Sequence, residues 1–258
     1  METSKKTNTI LGIDLGSRNV KLCLMRNAKI EKRDCIETMS FYREYGTNSD
    51  EKFIIDLDAL GFPSDTSIIA TGYGRMAASL GGAANVSELT AHFVGARHQT
   101  GIDDFTLLDM GGQDYKVMHV KNGRLVDMAT NDKCAASTGR YLENMARVLG
   151  MTIKELSSFK EKPVPLSSTC AIFGESELIG MVVKGKSVER LAAGVNRVVV
   201  ERVLPLLERM GEERIVMSGG VALNEAVVSI LADETGREII VLDDPLYNGA
   251  IGCCIKGA

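Results

Sequence analysis

The hydrophobic positions of this chain alternate between short strand-like runs and longer runs with helical spacing. One helical run predicts a long helix that begins near residue 187 and that Pro205 kinks or ends; its apolar residues are Val188, Leu191, Ala192, Val195, Val198, Val199 and Val203. Further helices are predicted over 86–100, 139–149, 152–159 and 174–184, from Val221, and after Tyr247. Strands are predicted in TSIIATGYGR, RIVMSGG and EIIVLD, whereas FIIDLDALG fits either a helix or a strand. This alternation predicts an α/β fold.

Residues 180–187, GMVVKGKS, match the letter pattern of a phosphate-binding loop, but their context does not suit one. Such a loop follows a buried strand, whereas the preceding ESELIG continues a helical apolar pattern. We therefore interpret Gly185 as the end of one helix and Ser187 as the N-cap of the next. By similar reasoning, Thr152 and Glu155 predict a capping box at the start of the helix over 152–159.

Two segments of the chain resemble each other and align without a gap at an offset of 95: GIDLGSRNVKLCLMRNAKI at 12–30 and LLDMGGQDYKVMHVKNGRL at 107–125. Each reads as a strand, an Asp-x-Gly turn, a second strand, a short turn and a third strand. Any two β-hairpins share part of this pattern, so chance similarity is the alternative. As a true repeat, it predicts two lobes. The N-terminal lobe covers 1–100 and is completed by the helix over 246–258, and the C-terminal lobe covers 101–245.

Each copy of the repeat has a carboxylate at a strand end and a glycine two residues later, which suits phosphate binding. The glycine lets backbone N–H groups approach a phosphate without a Cβ in the way. Asp14 and Asp109 are the candidates for holding Mg²⁺ through waters, and Gln113 is the candidate for orienting an attacking water. The candidate nucleotide contacts are Gly16, Ser17, Arg18, Asn19 and Lys21 in the first copy, Gly111 and Gly112 in the second, and Gly219, Gly220 and Asn224 in the later MSGGVALN.

Composition narrows the possible classes of protein. The 258 residues are 45% hydrophobic and 25% charged with a net charge of −4, which excludes disordered, collagenous and coiled-coil chains and does not favour nucleic acid as a partner. The N-terminal METSKKTNTI lacks the apolar core of a signal peptide, and no run approaches the roughly 18 apolar residues of a membrane span. We therefore expect a cytoplasmic protein with no membrane partner. Its six cysteines include no C-x-x-C pair, and disulfides are not expected there.

Several motifs resemble those of known families. GIDLGS, LLDMGGQD and MSGGVALN are similar to the two phosphate motifs and the adenosine motif of the acetate kinase, sugar kinase, heat-shock chaperone and actin superfamily. That resemblance implies a duplicated ribonuclease H-like (actin-like ATPase) fold, with two lobes around a nucleotide cleft. More narrowly, TGYGR, NDKCAASTGRYLE, SSTCAIFGESELI and PLYNGAIG resemble the activators of 2-hydroxyacyl-CoA dehydratases, whose relatives include the ATPase subunits of benzoyl-CoA reductase. This resemblance covers nearly the whole chain.

The activator resemblance implies a homodimer that holds one [4Fe–4S] cluster at the subunit interface, with Cys134 and Cys170 supplied by each chain. ATP hydrolysis would then drive an electron at low potential to an iron–sulfur partner enzyme, after reduction of the cluster by a ferredoxin or flavodoxin under anaerobic conditions. The number of cysteines is consistent with this arrangement, because two thiolates from each chain of a two-fold dimer supply the four that such a cluster needs. Cys253 and Cys254 are interpreted as core residues, and Cys23 and Cys35 receive no role.

The chain also departs from the activator pattern. Ser137 stands where glycine is usual, Gly174 where alanine is common, and Thr90-Ala91-His92 where Ser-Cys-His is typical. These departures leave open a partner that carries a different unusual iron–sulfur cluster. Two other classes also remain as alternatives, namely a small-molecule kinase of the same superfamily and an actin-like nucleotide-binding module without metal.

Overall fold

The computed structural model describes residues 9–49, 52–56, 58–62, 66–72, 78–80, 83–131, 138–167 and 171–258. In chain order, the elements are β1 (Thr9–Leu15), β2 (Asn19–Arg26), β3 (Lys29–Glu37), α1 (Thr38–Tyr45), β4 (Gly46–Ser49), β5 (Lys52–Ile55), β6 (Ser67–Thr71), β7 (Ala78–Leu80), β8 (Ala84–Asn85), α2 (Glu88–Thr100), β9 (Phe105–Met110), β10 (Tyr115–Lys121), β11 (Arg124–Thr130), α3 (Gly139–Val148), α4 (Ile153–Leu156), α5 (Ala171–Val183), α6 (Val188–Arg209), β12 (Arg214–Ser218), α7 (Glu225–Thr235), β13 (Glu238–Val241) and α8 (Asn248–Gly257). Within these ranges, no helix is both long and apolar enough to cross a bilayer.

The chain divides into two compact units, the first formed by Met1–Gly101 with Leu246–Ala258 and the second by Ile102–Pro245. In the first unit, the main sheet has the order β3-β2-β1-β6-β8, with β1 antiparallel to β2 and parallel to β6. A smaller sheet has the order β4-β5-β7. The C-terminal helix α8 returns to this unit and packs on β1, β6 and α2.

Strand β1 forms the centre of the first unit, and all seven of its residues are buried. Because side chains alternate between the two faces of a strand, successive residues of β1 belong to different cores. Leu11 and Ile13 pack with Phe41 from α1, whereas Ile10 packs with Ile251 from α8. Both faces of the sheet are therefore covered, which fixes the position of the polar residues at the end of β1.

Two adjacent cysteines of α8, Cys253 and Cys254, are fully buried in the first unit. The thiol of Cys254 donates to the carbonyl oxygen of Cys23 at 3.2 Å. Burial raises the pKa of the Cys253 thiol, and a hydrogen bond with the Cys23 side chain together with burial raises the pKa of Cys254. These thiols therefore stay protonated, and the interpretation of Cys253 and Cys254 as core residues is confirmed.

The second unit repeats the sheet of the first. Its strand order is β11-β10-β9-β12-β13, with β9 antiparallel to β10 and parallel to β12. The registers also correspond, because Asp14 pairs with Lys21 in the first unit and Asp109 pairs with Lys116 in the second. The similarity between 12–30 and 107–125 thus extends to the parallel strands that neither segment contains, which two unrelated hairpins would not share.

Helix α6 runs from Val188 to Arg209 and contains Pro205, so Pro205 does not end the long helix, and the other predicted outcome, a kink at Pro205, stays a prediction. A proline inside a helix removes one backbone hydrogen bond and crowds the preceding turn. Val203 and Leu207, on either side of the proline, are both buried in the core of the second unit. Burial of these two side chains outweighs the local cost, and the helix continues to Arg209.

The predicted helix boundaries are mostly confirmed by cap geometry. Ser187 caps α6 by accepting the N–H of Arg190, and Gly185 has a φ of +80°, so GMVVKGKS is a helix end and not a phosphate loop. The capping box of Thr152 and Glu155 is present at α4, which ends at Leu156 rather than near 159. The helix predicted from Val221 begins instead at Glu225, after a 3₁₀ turn over Gly220–Leu223.

Contact between α8 and α2 depends on the absence of a side chain at Gly252. A Cβ added there would overlap the carbonyl oxygen of Ala91 in α2. We expect Gly252→Ala to lower the free energy of unfolding by about 2 kcal/mol, because overpacking outweighs the gain in helix propensity. The matched control is Gly180→Ala in α5, where an added Cβ meets no atom within 4 Å. This control should raise thermal stability slightly, and equal shifts of the two melting temperatures would contradict the packing argument.

Candidate nucleotide-binding loops

The first candidate loop follows β1 in the first unit. Asp14, next to last in the strand, is 4% exposed, and Lys21 Nζ donates to its Oδ2 at 3.3 Å. The chain then turns tightly, with the N–H of Gly16 donating to the carbonyl oxygen of Asp14 at 3.1 Å. A Cβ at Gly16 would lie 2.7 Å from the carbonyl oxygen of Asn19, so the turn requires glycine. Asp14, Gly16 and Lys21 are therefore brought together as predicted from the repeat.

Thr38, the first residue of α1, supports this loop. Its hydroxyl donates to the carbonyl oxygen of Gly16 at 2.8 Å, and its N–H donates to that of Arg18 at 2.9 Å. Ser17 and Arg18 are exposed at the tip of the turn, and Asn19 is half-buried. The loop is thus held through its carbonyl groups, while the predicted ligand-binding side chains remain accessible.

The second candidate loop follows β9 in the second unit. Asp109 is 5% exposed, and the Ser218 hydroxyl donates to its Oδ1 at 2.6 Å. Lys116 is the counterpart of Lys21, yet its Nζ is 2.6 Å from Oδ2 of Asp114. The predicted water-orienting residue, Gln113, is exposed between the glycines and Asp114. Gln113 and Asp109 thus lie four residues apart on one loop, with the Asp109 carboxylate held by Ser218 of the neighbouring strand and the Gln113 side chain exposed to solvent.

The start of α3 anchors the second loop. The hydroxyl of Thr138 and the N–H of Arg140 each donate to the carbonyl oxygen of Gly112 at 2.9 Å, and the N–H of Gly139 donates to that of Gly111 at 2.9 Å. The first N–H groups of a helix have no partner within the helix, so the loop carbonyls satisfy two of them. The two loops therefore share a support, a threonine at the start of a helix bonded to a loop carbonyl.

A glycine with positive φ follows the parallel strand beside each loop. Gly72 follows β6 with a φ of +95°, and Gly219 follows β12 with a φ of +84°. A Cβ on Gly72 would lie 2.6 Å from the carbonyl oxygen of Leu15, and one on Gly219 would overlap that of Met110. Leu15 and Met110 occupy equivalent positions of the repeat, so the duplication includes these close backbone contacts.

The predicted adenosine segment has a different arrangement from the loops. The N–H of Gly219 donates to the carbonyl oxygen of Pro245 at 2.9 Å, and Gly220 begins the 3₁₀ turn. Asn224 is buried and caps α7, with Oδ1 accepting the N–H of Val227 at 3.0 Å and Nδ2 donating to Asn196 at 3.0 Å. Asn224 thus has a clear structural role, and its contact with nucleotide stays a prediction.

Sequence analysis assigns no nucleotide-site role to several residues that lie at the loops, namely Thr38, Gly72, His92, Thr138, Ser218 and Gly249. Gly249 lies in the first turn of α8, where an added Cβ would be 3.2 Å from Asp14 Oδ2 and 3.0 Å from His92 Nε2. A signal for Gly72 and Ser218 does exist in the chain, because SIIATG and RIVMSG are both apolar strands that end in a hydroxyl residue and glycine. The two threonines have no comparable local signal.

The two predicted cluster ligands, Cys134 and Cys170, lie outside the described residues. Of the cysteines that the structure describes, Cys23, Cys253 and Cys254 are buried and Cys35 is exposed. Within the described ranges, no group of three or more histidine, cysteine, aspartate or glutamate side chains is arranged to hold a metal ion. The described thiols of one chain therefore do not by themselves fit a [4Fe–4S] cluster.

Comparison with known proteins identifies the family. The (R)-2-hydroxyglutaryl-CoA dehydratase activating ATPase of Acidaminococcus fermentans is 37% identical over 255 residues, which is 95% of either chain. The solved activator of the 2-hydroxyisocaproyl-CoA dehydratase from Clostridium difficile, with bound ADPNP, superposes with a TM-score of 0.82 at 33% identity, covering 96% of this chain and 94% of that one.

More distant structures confirm the predicted fold class. MreB 5 of Spiroplasma citri, bound to AMPPNP, superposes with a TM-score of 0.51 at 13% identity over 96% of this chain and 95% of that one, a likeness of fold alone. The duplicated α/β, actin-like ATPase fold is thus confirmed, as is the resemblance to dehydratase activators. The profile of one family matches residues 11–255, and the chain therefore belongs to the BadF/BadG/BcrA/BcrD ATPase family.

Proposed function

We propose that this chain hydrolyses ATP in order to drive electron transfer at low potential to a partner iron–sulfur enzyme such as a 2-hydroxyacyl-CoA dehydratase. The observation that carries the proposal is the duplicated loop, in which a buried aspartate, a glycine turn and a supporting threonine occur once in each unit. Relatives whose names denote dehydratase activators support the role, as does the activator structure that contains ADPNP.

In this proposal, the two loops bind the phosphates through backbone N–H groups. Asp14 and Asp109 are the hard oxygen ligands for the Mg²⁺ of the nucleotide, acting through waters. Lys21 offsets phosphate charge, and the exposed Gln113 orients the attacking water. Gly219 and Gly220, after β12, take the adenosine side of the nucleotide. Burial of both aspartates supports these roles, because a charge in a partly desolvated site interacts more strongly with a cation.

The cluster in this proposal is held by Cys134 and Cys170 from each of two identical chains, and when bound it supplies a one-electron carrier. A ferredoxin or flavodoxin is the proposed donor, in the cytoplasm of an anaerobic cell. The described elements support the ligands indirectly. Helix α5 begins at Ala171, directly after Cys170, and α3 begins at Gly139, five residues after Cys134. The partial positive charge of a helix N-terminus favours thiolates nearby.

Iron and acid-labile sulfide analysis of anaerobically purified protein tests the proposal most directly. We expect about four iron atoms for every two chains, and loss of most of that iron in Cys134→Ala and in Cys170→Ala. Cys35→Ala is the matched control, because Cys35 is exposed and is expected to leave the iron content unchanged. Full iron content in Cys134→Ala would contradict the ligand assignment.

Three other outcomes would favour the alternative functions. A colourless, iron-free protein after strictly anaerobic purification would favour a nucleotide-binding module without metal. Transfer of the γ-phosphate of ATP to a sugar or carboxylic acid would favour a small-molecule kinase. If iron is present but a 2-hydroxyacyl-CoA dehydratase is not activated, the partner belongs to another class of iron–sulfur enzyme.

A further inference from the structure

We propose that Thr138 is a positioning residue that couples nucleotide binding at the Gly111–Gly112 loop to the first turn of α3. The inference rests on the proposed function in one respect, that this loop binds nucleotide phosphate. Through this contact, nucleotide bound to the loop changes the order of the helix that follows the Cys134 segment.

Three hydrogen bonds join the start of α3 to two consecutive loop carbonyls. Two of them come from the helix backbone, at Gly139 and Arg140, and the third comes from the hydroxyl of Thr138. Thr138 is fully buried, so its hydroxyl has no access to bulk water as a substitute partner. The loop and the first turn of α3 are therefore one hydrogen-bonded unit, and the side chain of Thr138 is its only part that a conservative substitution can remove.

The orientation of these carbonyls also sets the direction of the loop N–H groups. In a trans peptide, the C=O and the N–H of one peptide unit point in opposite directions. Because the carbonyls of Gly111 and Gly112 point to α3, the N–H groups of Gly112 and Gln113 point away from the helix. They are thus presented on the side of the loop from which a phosphate can approach, as in other anion-binding loops.

A phosphate bound to these N–H groups polarises the same peptide units that accept hydrogen bonds from α3. Hydrogen bonds in a chain strengthen one another, so occupancy of the loop strengthens the bonds to Thr138, Gly139 and Arg140. The coupling is reciprocal by thermodynamic linkage, and a loosened start of α3 weakens nucleotide binding in turn. The start of α3 is therefore more ordered with nucleotide than without it.

The first unit offers a matched control. Thr38 makes the same kind of bond, from its hydroxyl to the carbonyl oxygen of Gly16 at 2.8 Å. It supports the other loop and begins α1, so it has no hydrogen bond to α3. Loss of the Thr38 hydroxyl should weaken nucleotide binding to a similar degree, while leaving the response of α3 to bound nucleotide unchanged.

The experiment compares ADP affinity and amide hydrogen exchange in the full-length protein, purified anaerobically, with and without saturating ADP. In the unsubstituted protein, ADP should slow exchange over residues 139–148 by at least about threefold. Thr138→Val should weaken ADP binding by at most about tenfold, which is the loss of one whole neutral hydrogen bond, and should clearly reduce the slowing of exchange at saturation, with only the backbone bonds of Gly139 and Arg140 left. Thr138→Ser keeps the hydroxyl and should restore both properties, and Thr38→Val should weaken binding but keep the slowing.

A second variant, Gly139→Ala, tests the same contact while Thr138 stays unchanged. A Cβ on Gly139 would lie 3.1 Å from the carbonyl oxygen of Gly111 and 3.3 Å from the Cα of Gly112, so Gly139→Ala should push the loop from the helix and reduce the slowing of exchange. Normal slowing in both Thr138→Val and Gly139→Ala would overturn the inference. Equal loss in Thr38→Val would also overturn it, whereas failure of the unsubstituted protein to bind ADP would overturn the proposed function as well.

Discussion

Replacing Asp109 with asparagine is expected to lower the rate of ATP hydrolysis by about 100-fold or more. The change removes the negative charge that is proposed to hold Mg²⁺, and losses of this size are typical when a charged or proton-handling group is removed from a catalytic site. Stability should change little, because asparagine has nearly the same shape and its side-chain oxygen can still accept the hydroxyl of Ser218, which lies 2.6 Å from Asp109 Oδ1. Release of phosphate from ATP and the melting temperature are the two measurements.

Asp127→Asn is the matched control for this experiment. Asp127 is an exposed residue of β11, in the same sheet as Asp109, and its Oδ1 accepts the N–H of Met128. This control should hydrolyse ATP at the unsubstituted rate. Iron content should remain normal in Asp109→Asn, because the proposed cluster ligands belong to other segments. An ATPase rate within about threefold of the control would remove Asp109 from the catalytic residues, and loss of iron would show that the two sites are not separate.

Replacing Gly219 with alanine is expected to cause the largest loss of stability among single substitutions at the loops. Gly219 has a φ of 84° and a ψ of 177°, a region that is essentially restricted to glycine and costs other residues about 1–3 kcal/mol. In addition, the new Cβ would overlap the carbonyl oxygen of Met110 in the central strand β9. Together these effects should cost about 3 kcal/mol, or roughly 6–12 °C in melting temperature.

The control for Gly219→Ala separates backbone strain from steric overlap. Gly236 also has a positive φ, of 64°, but an added Cβ there would meet nothing within 4 Å. Gly236→Ala should therefore cost only about 1 kcal/mol. ATP hydrolysis should fall in Gly219→Ala alone, because displacement of Gly219 also moves Ser218 and its hydrogen bond to Asp109. Equal melting temperatures for the two variants would show that the contact with Met110 yields at little cost.

Much of the fold follows from signals that lie close together in the chain. The offset of 95 between Asp14 and Asp109 predicts a duplication, and the structure repeats the sheet order and the registers around both residues. The cap at Ser187 and the capping box at Thr152 are equally local, because a cap involves a side chain and a backbone group three residues away. For Pro205, the local signal allows either a kink or an end, and the helix continues because burial of Val203 and Leu207 outweighs the cost of the proline.

The residues of the candidate site are also of two kinds, those that local sequence predicts and those that only long-range contacts bring together. The amino-acid sequence by itself determined the aspartate and glycine of each loop, because the spacing within one turn is enough to bring them together. Only the tertiary structure decided what supports them. Ser218 reaches Asp109 across 109 residues of chain, Thr138 reaches Gly112 across 26, and Thr38 reaches Gly16 across 22. These contacts depend on which strand lies beside β9 and on which helix ends against each loop, and no local pattern of residues encodes that placement.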